Sequence, residues 1–468
     1  MSKILRLLPI IGVIFLFLFL RFYNIKNSLF FFNDNGRDFL VLQQWQQTGK
    51  PPLLGPQNSA LPINQSAIYF YLLYPAFLLT NRSPLSPLLI NAFLYIASLI
   101  ICLLLAKNNS KLQKILLVSF FFISIHPQYL SQNRYIWNPS FVTPFLVIAF
   151  TSIYLLKEKV TALRLWLTTF SLAAAVSFSY SITPVLVGAT IYYLIFIRKK
   201  TFYFISTLLI SLLVLNAPTI FFELHHHFLL TTSLFTKPLL AQSDSTLPLK
   251  FRNLVTFIIG SSSLIINLIV FIGLTICIII TQKHSANKTF LILFLFTLIL
   301  TLIAPFTIQA HYIFGIAVLF FFGLSFLPNL ILIPLLVLSS FFFFNPNNLQ
   351  TFFKSAPRTY DQMASCFNQL CQKETEPLFV TVQSNLHPYH VGPEHRYLMK
   401  KLGCNVKEIE KDTQAAKSMA VVVDGGDYQH GQTSYYELTL FGPSQVAQTY
   451  FCQPNFKVVI LQKTLKKP

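Results

Sequence analysis

Residues 8–38 read LPIIGVIFLFLFLRFYNIKNSLFFFNDNGRD, an apolar run of helical length that breaks at Arg21 and ends in a polar, acid-bearing segment. A helix that crosses a bilayer needs about 20 mostly apolar residues, and such runs recur along the chain as far as Leu330–Phe344. Of the 468 residues only 11% are charged and 54% are hydrophobic, with a mean hydropathy of +0.59. A soluble domain carries about 25% charged residues, so this composition suits lipid as the surrounding solvent. The basic start and apolar run of residues 1–20 have the form of a signal peptide. Arg21-Phe22-Tyr23 offers no small-residue cleavage site, however, and the segment reads as a retained first helix.

The apolar pattern predicts helices over about 8–21, 87–106, 115–126, 140–156, 165–181, 184–197, 202–217, 253–281, 289–306, 312–327 and 330–345. The fold class is therefore an all-α polytopic membrane protein of about 11 transmembrane helices. A net charge of +20 invites a nucleic-acid reading, but much of the Lys and Arg lies at the ends of apolar segments. The clusters Lys3/Arg6, Lys107/Lys111/Lys114, Lys157/Lys159/Arg164, Arg198/Lys199/Lys200 and Lys283/Lys288 each follow an even number of crossings. Cytoplasmic loops carry such an excess of cations, so the expected cell-membrane topology has the N-terminus inside and the C-terminus outside, with no nucleic-acid partner.

The composition changes after Asn345, and residues 346–468 hold ten of the fifteen acids. Runs at Leu378–Val382, Ala420–Val423 and Lys457–Leu461 read as strands and Glu394–Leu402 as a helix. The expected organisation is a membrane domain over 1–345 and a small extracytoplasmic α/β domain over 346–468. Four of the six cysteines, Cys366, Cys371, Cys404 and Cys452, fall in that second domain. An even set suits two disulfides in an oxidising compartment; four cysteines allow three pairings, and local spacing favours Cys366 with Cys371 and Cys404 with Cys452. Cys102 and Cys277, inside helices, are expected to stay free.

Three stretches between helices fall on the expected outer face: Phe22–Ser86, with an amphipathic Ala67–Leu79 that reads as an interfacial helix, His126–Pro139, and Asn216–Arg252. The membrane portion holds only five carboxylates, Asp34, Asp38, Glu158, Glu223 and Asp244. Glu158 sits between two lysines on the inner side, and the other four lie outside, where an acid held near lipid is a functional candidate. Asp34 is placed to act as a base; equally, Asp34 or Asp38 is suited to N-cap the helix that follows. Three adjacent histidines, His225–His227, raise a metal reading, but neighbouring side chains do not face one ion from a helix.

Asp34, Arg37, the helix over Gly36–Gly49, Leu54-Gly55-Pro56 and Tyr69-Phe70-Tyr71-Leu72-Leu73 together resemble the first outer loop of GT-C membrane glycosyltransferases of the protein O-mannosyltransferase and aminoarabinose-transferase type. Phe222-Glu223-Leu224-His225-His226 resembles the segment that follows the seventh helix in bacterial members, and His311-Tyr312 a pair near their lipid-phosphate site. In Arg134-Tyr135-Ile136-Trp137-Asn138-Pro139, the amide of Asn138 stands where many relatives carry an acid, which argues against a metal there because an amide is a weaker ligand for a hard cation.

The resemblance implies a cell-envelope glycosyltransferase, mannosyltransferase-like, that moves sugar from a polyprenyl-phosphate donor to a glycan, lipid or protein acceptor, with no cofactor. It makes Asp34 the general base and assigns Arg37, Asp38, Arg134, Asn138, Glu223, His226, His311 and Tyr312 to the substrate and lipid phosphate. Read alone, Arg134 is also a snorkelling anchor and His311-Tyr312 also an interfacial pair. The rival classes are a transporter or lipid flippase, which calls for mid-membrane ionisable residues or repeated broken helices, and a non-enzymatic assembly protein, in which the outer acids are dispensable.

Overall fold

A computed structural model describes residues 3–58, 62–236, 246–261, 263–283, 288–305, 308–344, 346, 349, 353–385, 390–426, 428–433 and 435–464. It falls into two compact units. One comprises Met1–Tyr23 with Pro51–Phe353, and the other Asn24–Lys50 with Lys354–Pro468. The stretch Phe22–Ser86, expected on the outer face, is thus divided after Tyr23 and again after Lys50.

The first unit is helical, and the chain is a membrane protein. Among the described residues, Ser86–Leu105, Asn138–Glu158, Tyr180–Ile197 and Leu264–Gln282 are long and apolar enough to cross a bilayer. Thr201–Leu215 and Ala217–His225 form a fifth span if counted as one, bent by 66°. Shorter apolar helices cover Leu7–Phe22, Ile68–Leu79, Ala162–Phe178, Thr289–Ile303, Ala310–Leu324 and Asn329–Phe343. Asn138–Glu158 is 94% enclosed by protein and Leu264–Gln282 only 17%, so the former is the central helix of the bundle and the latter a peripheral one.

Three expectations change. The single helix over 253–281 is two, Leu247–Ile259 and Leu264–Lys283, because Gly260 takes φ 81° and closes the first with a left-handed cap. The helix expected at 115–126 begins at Ser110, where the side chain of Asn109 accepts the Leu112 N–H and caps it ahead of the apolar run. Helix Ile68–Leu79 is apolar on all sides rather than amphipathic, with Tyr69, Phe70, Leu73 and Phe77 buried.

The second unit is built on a four-stranded sheet in the order β1-β2-β4-β3, with β1 Leu378–Ser384, β2 Ser418–Asp424, β3 Ser444–Gln453 and β4 Phe456–Lys463. β1 and β2 are parallel, with Val380 opposite Ala420, and the other pairings are antiparallel. A parallel pair needs a crossover, which here carries helix Pro393–Lys401. Phe379, Met419, Val421, Val459 and Leu461 form the core on one face with Phe441. β3 escaped the sequence reading because it is an edge strand with a mostly exposed, polar surface.

Disulfides join Cys366 to Cys452 and Cys371 to Cys404, with Cα separations of 5.4 and 4.9 Å. This replaces the local pairing expected from spacing. Cys366 and Cys371 lie five residues apart on helix Tyr360–Lys373, so they point to different sides of it. Cys102 and Cys277 are free.

Helix Asp34–Thr48 belongs to this second unit and packs on helix Pro393–Lys401. Phe39 meets Tyr397 edge to face with ring centroids 5.1 Å apart, and Phe31 meets Tyr360 in the same way at 5.7 Å. Gly36 makes the close approach possible, since a Cβ there would stand 2.1 Å from the backbone nitrogen of Glu394.

Candidate active site

Asp34 is the first residue of its helix, so Asn33 rather than Asp34 occupies the cap position. Asn33 adopts φ 38° and ψ −99°, a sparsely populated conformation that persists only where the surroundings enforce it. The Oδ1 of Asp34 is 2.7 Å from Nη1 of Arg37, and Arg37 donates through Nε and Nη2 to Oδ1 of Asp38 at 2.9 and 2.8 Å. The three groups form one ion-pair chain. Asp34 and Arg37 are each about one-third exposed, at 33% and 36%, whereas Asp38 is 1% exposed. Asp38 was expected to meet substrate, but its carboxylate is buried and occupied by Arg37.

Asp34 and Arg37 line a cleft of about 570 Å³ within the second unit. Its walls carry the amides of Gln43, Gln44 and Gln47, the cations Arg396, Lys400 and Lys411, and Glu408. Amides and cations around a partly exposed carboxylate suit a hydroxyl-rich ligand that the groups can hydrogen-bond.

A buried polar network stands behind this cleft. Oε1 of Glu394 accepts from Nη2 of Arg358 at 2.9 Å and pairs with Nε2 of His390 at 2.5 Å. Nε of Arg358 lies 2.5 Å from Oδ2 of Asp424 at the end of β2, and Oε2 of Glu394 accepts the backbone N–H of Asn33 at 3.2 Å. Burial alone raises the Glu394 carboxyl, but the imidazoles of His395 and His390 and the guanidinium of Arg358 hold it down, to about 2. Burial pushes the His395 imidazole well below its ordinary range, against the pull of Glu394.

His390, Glu394 and His395 bring ligand atoms within 4.8 Å of one another, a donor set that fits a metal ion by residue type. The contacts argue otherwise. The guanidinium of Arg358 already occupies the Glu394 and Asp424 oxygens that face the histidines, and His390 and Glu394 stand at hydrogen-bond distance. Two ligands of one tetrahedral ion at roughly 2.0–2.1 Å lie farther apart than that. The group is an ion-pair and hydrogen-bond network.

The remaining candidates lie in the first unit. Nη1 of Arg134 is held by the carbonyls of Leu20, Arg21 and Tyr23 at 2.9–3.1 Å, so it ties off the end of the first helix. Nδ2 of Asn138 donates to the Phe178 carbonyl at 2.7 Å. Glu223 accepts from the N–H groups of Leu230 and Thr231 and the Thr231 hydroxyl, capping helix Leu229–Thr236. His226 is exposed and lies against Phe222. His311 is buried between Trp137 and Tyr312, with ring centroids at 4.7 and 4.4 Å. Asp244 lies outside the described residues. Arg21, which the sequence reading passed over, is wholly buried and donates to the carbonyls of Ser124 and Ile123. The network of Arg358, His390, Glu394, His395 and Asp424 was also missed. Its one visible signal was the density of His and Glu at 390–395.

The bundle of apolar helices and the small sheet unit have the fold of a solved membrane-protein structure. One solved structure to which the chain is similar is that of ArnT from Cupriavidus metallidurans bound to undecaprenyl phosphate. The match covers 100% of this chain and 99% of that one at 9% identity, with a TM-score of 0.65. No protein-family profile and no curated protein sequence matches the chain.

Proposed function

We propose that the protein is a glycosyltransferase, a hexosyltransferase by subtype, that takes sugar from a polyprenyl-phosphate donor and passes it to an acceptor hydroxyl at the outer face of the membrane. One observation carries this reading: Asp34, a partly exposed carboxylate in an acid-poor chain, stands beside Arg37 on the wall of a polar cleft. The likeness to a structure bound to undecaprenyl phosphate supports the choice of donor.

In the reaction the acceptor oxygen attacks the anomeric carbon as the bond from that carbon to the phosphate oxygen breaks. The electron pair leaves on the phosphate, and the acceptor proton passes to the carboxylate of Asp34. The Gln43, Gln44 and Gln47 amides orient the acceptor, which is a glycan, a lipid or a protein side chain. Of the two arginines assigned to the phosphate, Arg37 is the one on the cleft wall, paired with Asp34 and Asp38, whereas Arg134 is spent on backbone carbonyls. A donor hydrogen bond aimed at charge that develops on the leaving group stabilises the transition state more than the ground state.

The test uses purified protein in lipid nanodiscs with a panel of polyprenyl-phosphate hexoses and acceptors. Transfer is expected to release one free polyprenyl phosphate per sugar moved, and to disappear in Asp34→Asn. Movement of the intact donor across the bilayer without release of polyprenyl phosphate would favour the transporter class instead.

A further inference from the structure

We infer that the buried Glu394–Arg358–Asp424 network is the positioning device for Asp34, so that the sheet unit contributes directly to the reaction geometry. The inference rests on the role proposed above for Asp34. Three contacts converge on the residues around it. Oε2 of Glu394 takes the N–H of Asn33, and Oδ1 of Asn33 takes the N–H of Val391 at 3.4 Å, so the residue before Asp34 is gripped from both sides. Two residues after Asp34, Gly36 lies on the Pro393–Glu394 backbone with no room for a Cβ.

Glu394 in turn has no freedom. Its other oxygen is held by Arg358 and His390, and Arg358 is fastened to Asp424 at the end of β2. All of these groups are buried, with Arg358 at 2% and Glu394 at 0% exposure, so water does not compete for the contacts. The sparsely populated backbone of Asn33 is what this grip maintains. A network that only stabilised the sheet would have no need to end on the backbone amide next to the partly exposed carboxylate. Carboxylates used as bases act within a few tenths of an ångström of the proton they take, and a rigid mount on a sheet supplies that precision.

The conservative variant is Glu394→Gln in the full-length protein. Hydrogen exchange at the Asn33–Gly36 amides is expected to quicken about 10- to 100-fold, as for loss of a charge-assisted hydrogen bond, while β2 and β4 stay protected. Unchanged exchange at Asn33–Gly36 overturns the inference without reference to any substrate. In turnover, Glu394→Gln is expected to lower kcat about tenfold with donor KM unchanged, and to add little to the loss in Asp34→Asn, since the two act through one group. Additive losses would overturn it. Full activity in Asp34→Asn would instead refute the role of Asp34, which the single variants distinguish. Should Glu394→Gln fail to fold, Asn33→Gly keeps the backbone conformation, removes the Val391 contact, and is expected to show the same loss of kcat. Normal turnover in Asn33→Gly would then refute the positioning role.

Discussion

The guanidinium of Arg37 bridges Asp34 at 2.7 Å and Asp38 at 2.8 Å, one carboxylate open to the cleft and the other sealed from it. The two acids, four residues apart, therefore answer differently to the same substitution. Asp34→Asn is expected to reduce sugar transfer by about 10²–10⁴, the cost of losing a general base, with little change in melting temperature. Asp38→Asn puts an uncharged amide at a buried site where Arg37 needs a carboxylate, and is expected to cost about 1–3 kcal/mol of stability. Turnover and thermal melting of both variants check this. Near-normal transfer by Asp34→Asn would remove it as the base.

Gly36→Ala is expected to separate helix Asp34–Thr48 from helix Pro393–Lys401. The obstacle is backbone, at 2.1 Å from the new Cβ, and backbone does not move aside as a flexible side chain does. Overpacking of this kind costs roughly 1–3 kcal/mol or more. Melting of the purified variant measures it, and an unaltered melting temperature would show that the two helices have slack.

Peptide mapping under non-reducing conditions should recover Cys366 linked to Cys452 and Cys371 linked to Cys404, with Cys102 and Cys277 as free thiols. Cys452→Ser opens a link across 86 residues of sequence. Its expected cost is roughly 2–5 kcal/mol. Recovery of a Cys366–Cys371 peptide would contradict the geometry of their helix.

The sheet unit should weaken in acid. Glu394 has a folded value of about 2, below its unfolded range near 4.5, so its contribution is complete above about 4.5 and fades as pH falls toward 2. Burial pushes the His395 imidazole below its unfolded range near 6.5, so unfolding takes up protons there as the pH falls, which acts in the same direction. Unfolding midpoints measured from pH 7 to pH 3 should fall steadily. In Glu394→Gln the part of the fall below about pH 4.5 should shrink, and a pH profile identical to wild type would refute the assignment.

A reporter fused after Pro468 is expected to lie outside the cell, as the basic clusters and the cysteine-rich second unit argue. Cytoplasmic activity of that reporter would reverse the orientation and remove the outer-face reaction.

The helical membrane architecture was legible because bilayer solvation writes itself into long apolar runs. Three of the four strands were legible because buried strands are short apolar runs bounded by polar residues. The break at Gly260 was overlooked: the long apolar runs before Gly260 and after Ser263 read as one span, although Gly260-Ser261-Ser262-Ser263 between them is a turn signal and Gly260 takes a positive φ. Asp34 stood out by the scarcity of acids around it. Its partners did not, because Glu394 lies 361 residues from Asn33 and nothing local marks a contact of that span. The same limit made Arg134 and Glu223 look available, when each is committed to backbone groups that only the folded chain brings near.

The membership of Asn24–Lys50 in the second unit sets an order of events during synthesis. At about 5–20 residues per second, roughly 15–60 s separate the emergence of Lys50 from that of Lys354. Throughout that interval Phe31 and Phe39 lack the Tyr360 and Tyr397 rings that later pack on them. The nascent chain must carry this helix as an unfinished piece while the membrane bundle inserts, and close it only when the last hundred residues arrive. A fragment that begins at Lys354 would lack the piece altogether, so the sheet unit is expected to need the N-terminal segment supplied in trans before it behaves as a folded body.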